Sequence, residues 1–510
     1  MNAFIMRLVL ASILGLGAAT AALAQFAPSG GAQQSSHAAQ LPLSGISGSR
    51  DPVSTRQTTA SGASVQLSGD YTGSVPAANV PPGSITLTLA DAIQKGLAAN
   101  LGPIAAGNAS RAARAGRIQA LSALLPNIAA NASDTVTQVN LAAYGFQFKL
   151  PANSDVSIPS VVGPFNYSSL QGTLSQSIYD PVALRNWKAA KESQRASLFS
   201  AKDARELVVF AVGGTYLQTV AAAARFESQR AQVANAQAIY RQAEVRKTAG
   251  TNARIDVTRS LVELQTEQQR LSSLNADLRK QKISLARLTG LPLDRDIALA
   301  DPLSFAESSV PDVNAALQLA YRQRSDLRAS ETQVRAAEIA LSAAHAERLP
   351  SASMNGNYGV LGPNPTSTHG VFTVTGTVNV PIWQGNRTKG DIQQADAALD
   401  QRKAELADQR GKIEQDVRDA LIESETAAGQ VRVAESNRGL ANETLSQARD
   451  RFSAGVSTTL EVVQAQQQVA SAESDYISSL FSFNLAKLSL ARAMGEIESD
   501  LANLLKGNHP

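Results

Sequence analysis

Residues 351–383 read SASMNGNYGVLGPNPTSTHGVFTVTGTVNVPIW. In the second half of this stretch Phe372, Val374, Gly376, Val378, Val380 and Ile382 alternate with Thr373, Thr375, Thr377 and Asn379. A strand puts successive side chains on opposite faces, so the apolar set shares one face and the threonines the other. In the first half Met354, Gly356 and Tyr358 alternate with Asn355 and Asn357 in the same way. Strands of about ten residues, apolar outside and polar inside, are what a membrane β-barrel requires. A strand pair on a soluble core would need a companion sheet or helix layer, and the neighbouring sequence offers none.

Helical sequence flanks this hairpin on both sides. Asp312 to Leu349 has helical periodicity and ends at Leu349-Pro350, the strand pair occupies about 351–384, a long helix spans 388–454, and Gly455 breaks it. A return helix over 457–494 stops at Gly495. The same order occurs earlier in the chain. Thr88, with Asp91 three residues on, starts a helical stretch broken near Gly102-Pro103 and ended by Leu125-Pro126. A strand pair follows at about 127–180, then a long helix over 182–249, a break at Gly250, a return helix over 252–289, and Gly290 with Pro292 beyond it.

The two halves align without gaps at two offsets. At +224, Arg111-Ala112-Ala113 meets Arg335-Ala336-Ala337 and Leu125-Pro126 meets Leu349-Pro350. At +205, Gly250 meets Gly455, Ser284-Leu285-Ala286-Arg287 meets Ser489-Leu490-Ala491-Arg492, and Gly290 meets Gly495. This is an internal repeat, 85–295 and 296–497, with the offset lost in a longer first hairpin loop. Residues 498–510 remain as a tail.

Four strands per chain cannot close a barrel. An open sheet in lipid would leave its edge hydrogen-bonding groups unmet, and about eight strands is the practical minimum. The barrel is therefore shared; two chains would supply eight strands and three would supply twelve. The helix over 182–249 would be about 100 Å long at ~1.5 Å per residue. The return helix and the helix before the first strand, stacked end to end, nearly match it. The fold class expected is mainly α with a transmembrane β-hairpin portion: a long helical barrel carried beneath a shared β-barrel.

Composition sets further bounds. Arg7, the apolar run Leu8 to Leu23 and Ala22-Leu23-Ala24 read as a secretion signal (1–24) cleaved between Ala24 and Gln25. Residues 25–84, rich in Gly, Ser, Pro and Gln, read as a flexible leader. After the signal no run of 18 consecutive apolar residues occurs, so no membrane-spanning helix is expected. Cysteine is absent, which excludes disulfides, thiolate metal sites and a cysteine nucleophile, and the four histidines are scattered. The net charge of +3 arises from interleaved signs, which gives no footprint for nucleic acid. No phosphate loop, nucleophile elbow or metal-ligand spacing is present, so neither enzyme activity nor a cofactor is expected. The competing function is a periplasmic coiled-coil adaptor or scaffold, which would have no use for lipid-facing alternation.

The tip sequences carry a family resemblance. Arg451-Phe452-Ser453-Ala454-Gly455 leads to Leu460-Glu461-Val462, and Lys247-Thr248-Ala249-Gly250 leads to Ile255-Asp256-Val257. With the Leu-Pro pairs before each first strand, Val380-Pro381-Ile382-Trp383-Gln384-Gly385 after the last, and the terminal Leu-x-x-x-x-Gly ends, the chain resembles the TolC-like outer-membrane efflux family over roughly residues 85–497. The resemblance implies a homotrimer with a 12-stranded barrel in outer-membrane lipid over a periplasmic helical tunnel. It also implies a passive duct of a tripartite efflux or type I secretion system that meets a periplasmic adaptor and an inner-membrane pump. Gly250 and Gly455, with Phe452 and Lys247, would form the tip that the adaptor contacts. Asp256 and Glu461 match acidic tip positions, and three copies would ring the entrance as a cation-favouring gate. Gln464 stands where some members carry a second acid, Phe452 where some carry tyrosine, and Lys247 where the first unit would carry an aromatic. Asp256 and Glu461 have an ordinary reading too, as first-turn acids that complement a helix dipole.

Overall fold

The computed structural model describes residues 53–58, 62–67, 69–76, 83–143, 145, 159–250, 253–306 and 311–498. The signal, most of the leader and the end of the tail lie outside these.

The repeat is visible in the lengths of the helices. In the first unit α1 (Leu89–Ala99) has 11 residues, α2 (Leu101–Ser122) 22, α3 (Pro181–Thr248) 68 and α4 (Arg254–Thr289) 36. In the second unit α5 (Val313–Gln323) has 11, α6 (Ser325–Ala346) 22, α7 (Arg387–Ser453) 67 and α8 (Thr459–Met494) 36. Between the second and third helix of each unit lies a strand pair: β4 (Asn127–Asn140) with β5 (Val161–Tyr179), and β7 (Ser351–Asn364) with β8 (Ser367–Asn379). The connection from Asn140 to Val161 shrinks to Pro365-Thr366 in the second hairpin, which is where the offset changes.

The long strands form one antiparallel sheet in the order β4-β5-β7-β8, with an open edge on β4 and another on β8. Its register sorts residues by chemistry. Ile128, Leu174, Gly356 and Val374 lie in one row across the four strands, and Ala130, Gly172, Tyr358 and Phe372 in the next on the same face. On the other face Ala129, Thr173, Asn357 and Thr373 form a row. There Asn357 Nδ2 donates to Gln171 Oε1 at 3.0 Å, and the Ser133 and Ser169 hydroxyls are 2.9 Å apart. The apolar face is bare: Ile128, Tyr358 and Phe372 are 78%, 76% and 77% exposed, and no other part of the described residues covers it.

The helices carry the core. Leu207 to Val212 and Tyr216 of α3 pack against Leu89, Ala92 and Ile93 of α1, Leu285 and Leu288 of α4, and Phe481, Leu485 and Leu488 of α8. Burying each such side chain is worth about 1.5–3 kcal/mol. This explains the one described helix that is long and apolar enough to cross a membrane: 83% of the apolar window of α3 is buried within the protein. A short parallel pair, β3 (Ile85–Leu87) and β6 (Ile297–Leu299), closes this core. Tyr216 Oη donates to Leu87 O at 3.0 Å and contacts Asp301 Oδ2 at 3.1 Å, while Leu89 N donates to the same carboxylate at 2.7 Å. Asp301 thus caps the α1 N-terminus from a distance.

Two expectations are corrected. The stretch from Asp312 to Leu349 is not one helix. It breaks at Arg324, 224 residues after Asn100, where α1 gives way to α2. Nor is the leader structureless throughout. Val53–Thr58 and Gly62–Leu67 form a hairpin (β1, β2) whose backbone lies against α3, and Gly69–Thr72 forms a 3-10 turn. Beyond that turn the chain is strapped across the α1–α2 break. Val75 N donates to Ala99 O (2.8 Å), Leu101 N to Gly73 O (3.0 Å), Asn100 Nδ2 to Tyr71 O (3.0 Å) and Arg287 Nε to Thr72 O (3.1 Å). A helix break exposes backbone donors and acceptors, and the strap satisfies them. The Thr88 cap also differs in detail: it accepts from Asp91 N at 3.1 Å, but the Asp91 carboxylate returns to the Thr88 hydroxyl at 2.7 Å.

The strap predicts a contrast between glycines. Gly290 ends α4 at φ +70°, and an added Cβ there would lie 2.5 Å from Ala99 Cβ and 2.8 Å from Val75 O. Gly250 has φ +74° and open space around it. Both alanine variants carry the left-handed penalty of about 1–2 kcal/mol, and Gly290→Ala adds overpacking of about 1–3 kcal/mol. Thermal unfolding should show the larger loss for Gly290→Ala; equal losses would contradict the strap.

Candidate functional site

At the far end of the long helices each unit turns through its glycine. The second turn closes the end of α7. Gly455 N donates to Phe452 O (3.1 Å) and Val456 N to Arg451 O (3.0 Å), with Gly455 at φ +77°. This double bond pattern is a Schellman cap, in which a left-handed residue lets the last carbonyls of a helix be met. In the first turn Ala249 N donates to Val245 O and Gly250 N to Lys247 O, both at 3.0 Å.

The acidic residues sit just past these turns, each in the first turn of its return helix. Asp256 N bonds to Ala253 O (3.1 Å) and Glu461 N to Thr458 O (3.2 Å). Neither carboxylate is bare. Arg451 Nε is 3.4 Å from Glu461 Oε1, Ser457 Oγ donates to the other carboxylate oxygen, and Arg259 Nη1 is 4.0 Å from Asp256 Oδ1. The Arg451–Glu461 pair is largely exposed, where such pairs are worth about 0–1 kcal/mol, so it attenuates the acid's field without abolishing it. Gln464 and Lys247 are exposed.

Phe452 is not at the surface. It is 8% exposed and packs with Leu445, Ala448, Val462 and Ala465. Arg246 of α3 lies over its ring, with Cζ 4.3 Å from the centroid, and Arg246 Nη1 reaches the Phe452 carbonyl at 3.4 Å. The structure therefore joins the two tips of one chain through Arg246, the neighbour of Lys247, onto Phe452. An arginine over an aromatic face is worth about 0.5–2 kcal/mol. Sequence reasoning passed over Arg246, because nothing local in the sequence pairs residues 206 positions apart.

Above the tip, α3, α4 and α8 meet through side-chain amides and acids. Gln229 donates to the backbone and carboxylate of Glu267, Arg270 pairs with Glu267 at 2.8 Å, and Gln467 Nε2 lies 3.3 Å from Glu263 Oε2. Burial, with Glu267 adding its charge, pushes the Glu263 carboxyl above its ordinary range. Among the described residues no group of three His, Asp or Glu is placed to hold a metal ion. The arrangement offers no chemistry of bond making; it offers a wall, a lining and an end. Ala24 and Gln25 lie outside the described residues.

Comparison with known proteins agrees with this geometry. The family model described as outer membrane efflux protein matches residues 99–291 and 316–496, one stretch in each unit. OprJ, an outer membrane protein of Pseudomonas aeruginosa, is 25% identical over 386 residues, covering 71% of this chain and 77% of its own. The toluene efflux pump outer membrane protein TtgC of Pseudomonas putida is 23% identical over 375 residues, covering 71% and 76%. Among solved structures, the CmeC outer membrane channel of Campylobacter jejuni has a TM-score of 0.71 at 17% identity, covering 82% of this chain and 89% of that one. The open state of the MtrE outer membrane channel of Neisseria gonorrhoeae has a TM-score of 0.67 at 18% identity, covering 87% and 98%.

Proposed function

Because this chain belongs to the outer membrane efflux protein family, we propose that three copies form one passive duct. That duct would receive cargo from a periplasmic adaptor and an inner-membrane pump and release it outside. The observation that carries the reading is the sheet: four long strands with two open edges, one bare apolar face and one polar face, set on helices of 68 and 67 residues. The chain's place is the outer membrane, with the helical part in the periplasm, and its role is transport rather than catalysis. Capture of the cognate adaptor by the tagged chain, lost when the Gly250 and Gly455 turns are replaced by longer linkers, would test the partner assignment. Undiminished capture would place adaptor contact elsewhere.

Asp256 and Glu461 are proposed to ring the periplasmic entrance and favour cations. Asp256→Asn with Glu461→Gln should lower the cation preference in planar-bilayer recordings. Because Arg451 pairs with Glu461, Arg451→Ala should raise it. Unchanged selectivity in both would reduce the two acids to helix-dipole partners.

A further inference from the structure

The polar face of the sheet changes character along its length. The rows nearest the helices carry neutral hydrogen-bonding groups: Asn127, Ser175, Asn355 and Thr375 in one, then Ala129, Thr173, Asn357 and Thr373. Further along, the rows become Asn131, Gln171, Gly359 and Val371, then Ser133, Ser169, Leu361 and His369. The first hairpin continues past them, pairing Thr135 with Tyr167 and Thr137 with Phe165 on the same face. At about 3.3 Å per residue, Phe165 stands about 26 Å along the strand from Thr173. β4 begins just after α2 and β5 ends just before α3, so Tyr167 and Phe165 lie at the end of the sheet away from the helices. With the helices in the periplasm, that end is the outer exit.

The same face carries no Asp, Glu, Lys or Arg. Such residues make up 17% of the chain, yet the four long strands hold one, Asp134. It faces the other way, in the row of Ser168, whose hydroxyl donates to it at 2.8 Å, and on the face of Ile128. Pores that sort ions line themselves with rings of charged side chains, and these strands offer none. The outer rows offer ring and alkyl surface instead. Phe165 is 42% and Leu361 37% exposed, and Tyr167 and Val371 are half-buried, with the hydroxyls of Ser133, Thr135 and Ser169 on the same face. An aromatic group leaving water gains by lying against such a surface, and the neighbouring hydroxyls can meet its polar substituents. A site along a duct must also let go. Partly exposed side chains interleaved with hydroxyls suit that, where a closed apolar pocket would not.

We propose that Phe165, Tyr167, Leu361 and Val371 form a contact site for the aromatic groups of cargo, one per chain, at the outer exit of the barrel and above an uncharged sleeve. This rests on the shared-duct reading above, which puts the polar face inside.

Block of current through the intact complex in a planar bilayer reads the site. Two uncharged probes differ by one ring: p-nitrophenyl maltoside, and maltose as its ring-free control. The nitrophenyl sugar should halve the conductance at a concentration severalfold lower than maltose needs. Phe165→Ser with Tyr167→Ser should raise that concentration severalfold and leave the response to maltose in place. Leu361→Asn with Val371→Thr, one to two rows below, should act in the same direction and serves if the first variant fails to assemble. Equal block by the two sugars, or block by the nitrophenyl sugar that an assembled variant does not weaken, overturns the site and leaves the duct reading standing. A native chain that forms no conducting particle overturns both.

Discussion

Replacing Val374 and Val378 together by arginine is expected to abolish assembly in the outer membrane. Both lie on the apolar face of β8, 67% and 70% exposed, in rows shared with Gly356 and Ala352 of β7. An arginine facing lipid near the midplane of a barrel costs about 2–4 kcal/mol. Two per chain, six in a three-copy barrel, total about 12–24 kcal/mol, which matches or exceeds the ~5–15 kcal/mol by which a folded protein is usually stable. The same pair of arginines at Thr375 and Thr377 faces the polar interior and should leave insertion intact. Fractionation and a heat-modifiability gel read both variants. Equal insertion of the two would mean that the faces are assigned the wrong way round, or that the sheet does not meet lipid.

Loss of Arg324 is the second large effect expected. This side chain is 5% exposed at the α5–α6 break. Its guanidinium holds Asp326 in a two-pronged pair (3.1 and 2.7 Å) and reaches Asp416 of α7 at 2.8 Å. Arg324→Ala leaves both carboxylates without that partner in a buried junction, a change that costs about 3–5 kcal/mol. The equivalent break in the first unit is held by a neutral amide: Asn100 accepts from Gly102 N at 2.8 Å. Asn100→Ala loses a cap and a bond to the strap, about 1–2 kcal/mol. Thermal unfolding should therefore rank Arg324→Ala well below Asn100→Ala, and the reverse order would refute the charged junction.

The same junction sets an acid limit. Burial would push the Asp326 carboxyl up, but the hydrogen bonds and charge of Arg324 outweigh it and hold the group below its ordinary value. Its contribution is present above the unfolded aspartate value, ~3.9, and disappears as pH falls through the lower folded value. Nearby Asp203 and Glu206 act in the opposite sense. Burial pushes both up, against Arg492 in the first case and the Ser325 hydroxyl in the second. Their contribution is greatest when protonated and is lost as pH rises through the raised folded values. Melting temperature should hold or rise on mild acidification and drop only below pH ~4. Asp326→Asn should flatten that drop.

The parts legible in the sequence share one property: they depend on neighbours along the chain. Alternation from Phe372 to Val378, Leu-Pro at the end of a helix, and glycine at a left-handed turn each state their geometry locally, and duplication at fixed offsets repeats the message; Val380 and Ile382 continue the alternation past the end of the strand at Asn379. The break at Arg324 was hidden because helical periodicity continues through it and the bend is held by Asp326 and by Asp416, the latter far along the chain. The strap at Tyr71–Val75 was hidden in the same way. It has no period of its own and acquires structure from Ala99, Leu101 and Arg287. At the tip, Phe452 was recognisable as an aromatic before a glycine, but its burial beneath Arg246 depends on contact between two turns that the chain brings together only when folded.

The central claim is that this chain supplies four strands to a barrel no single copy can close. The most direct test is the mass of the detergent-extracted complex, measured on the same preparation whose conductance is recorded in a planar bilayer. The account predicts three copies per particle, separated by heating and conducting when intact. A conducting particle of one copy, or a stable single copy that does not conduct, would contradict it.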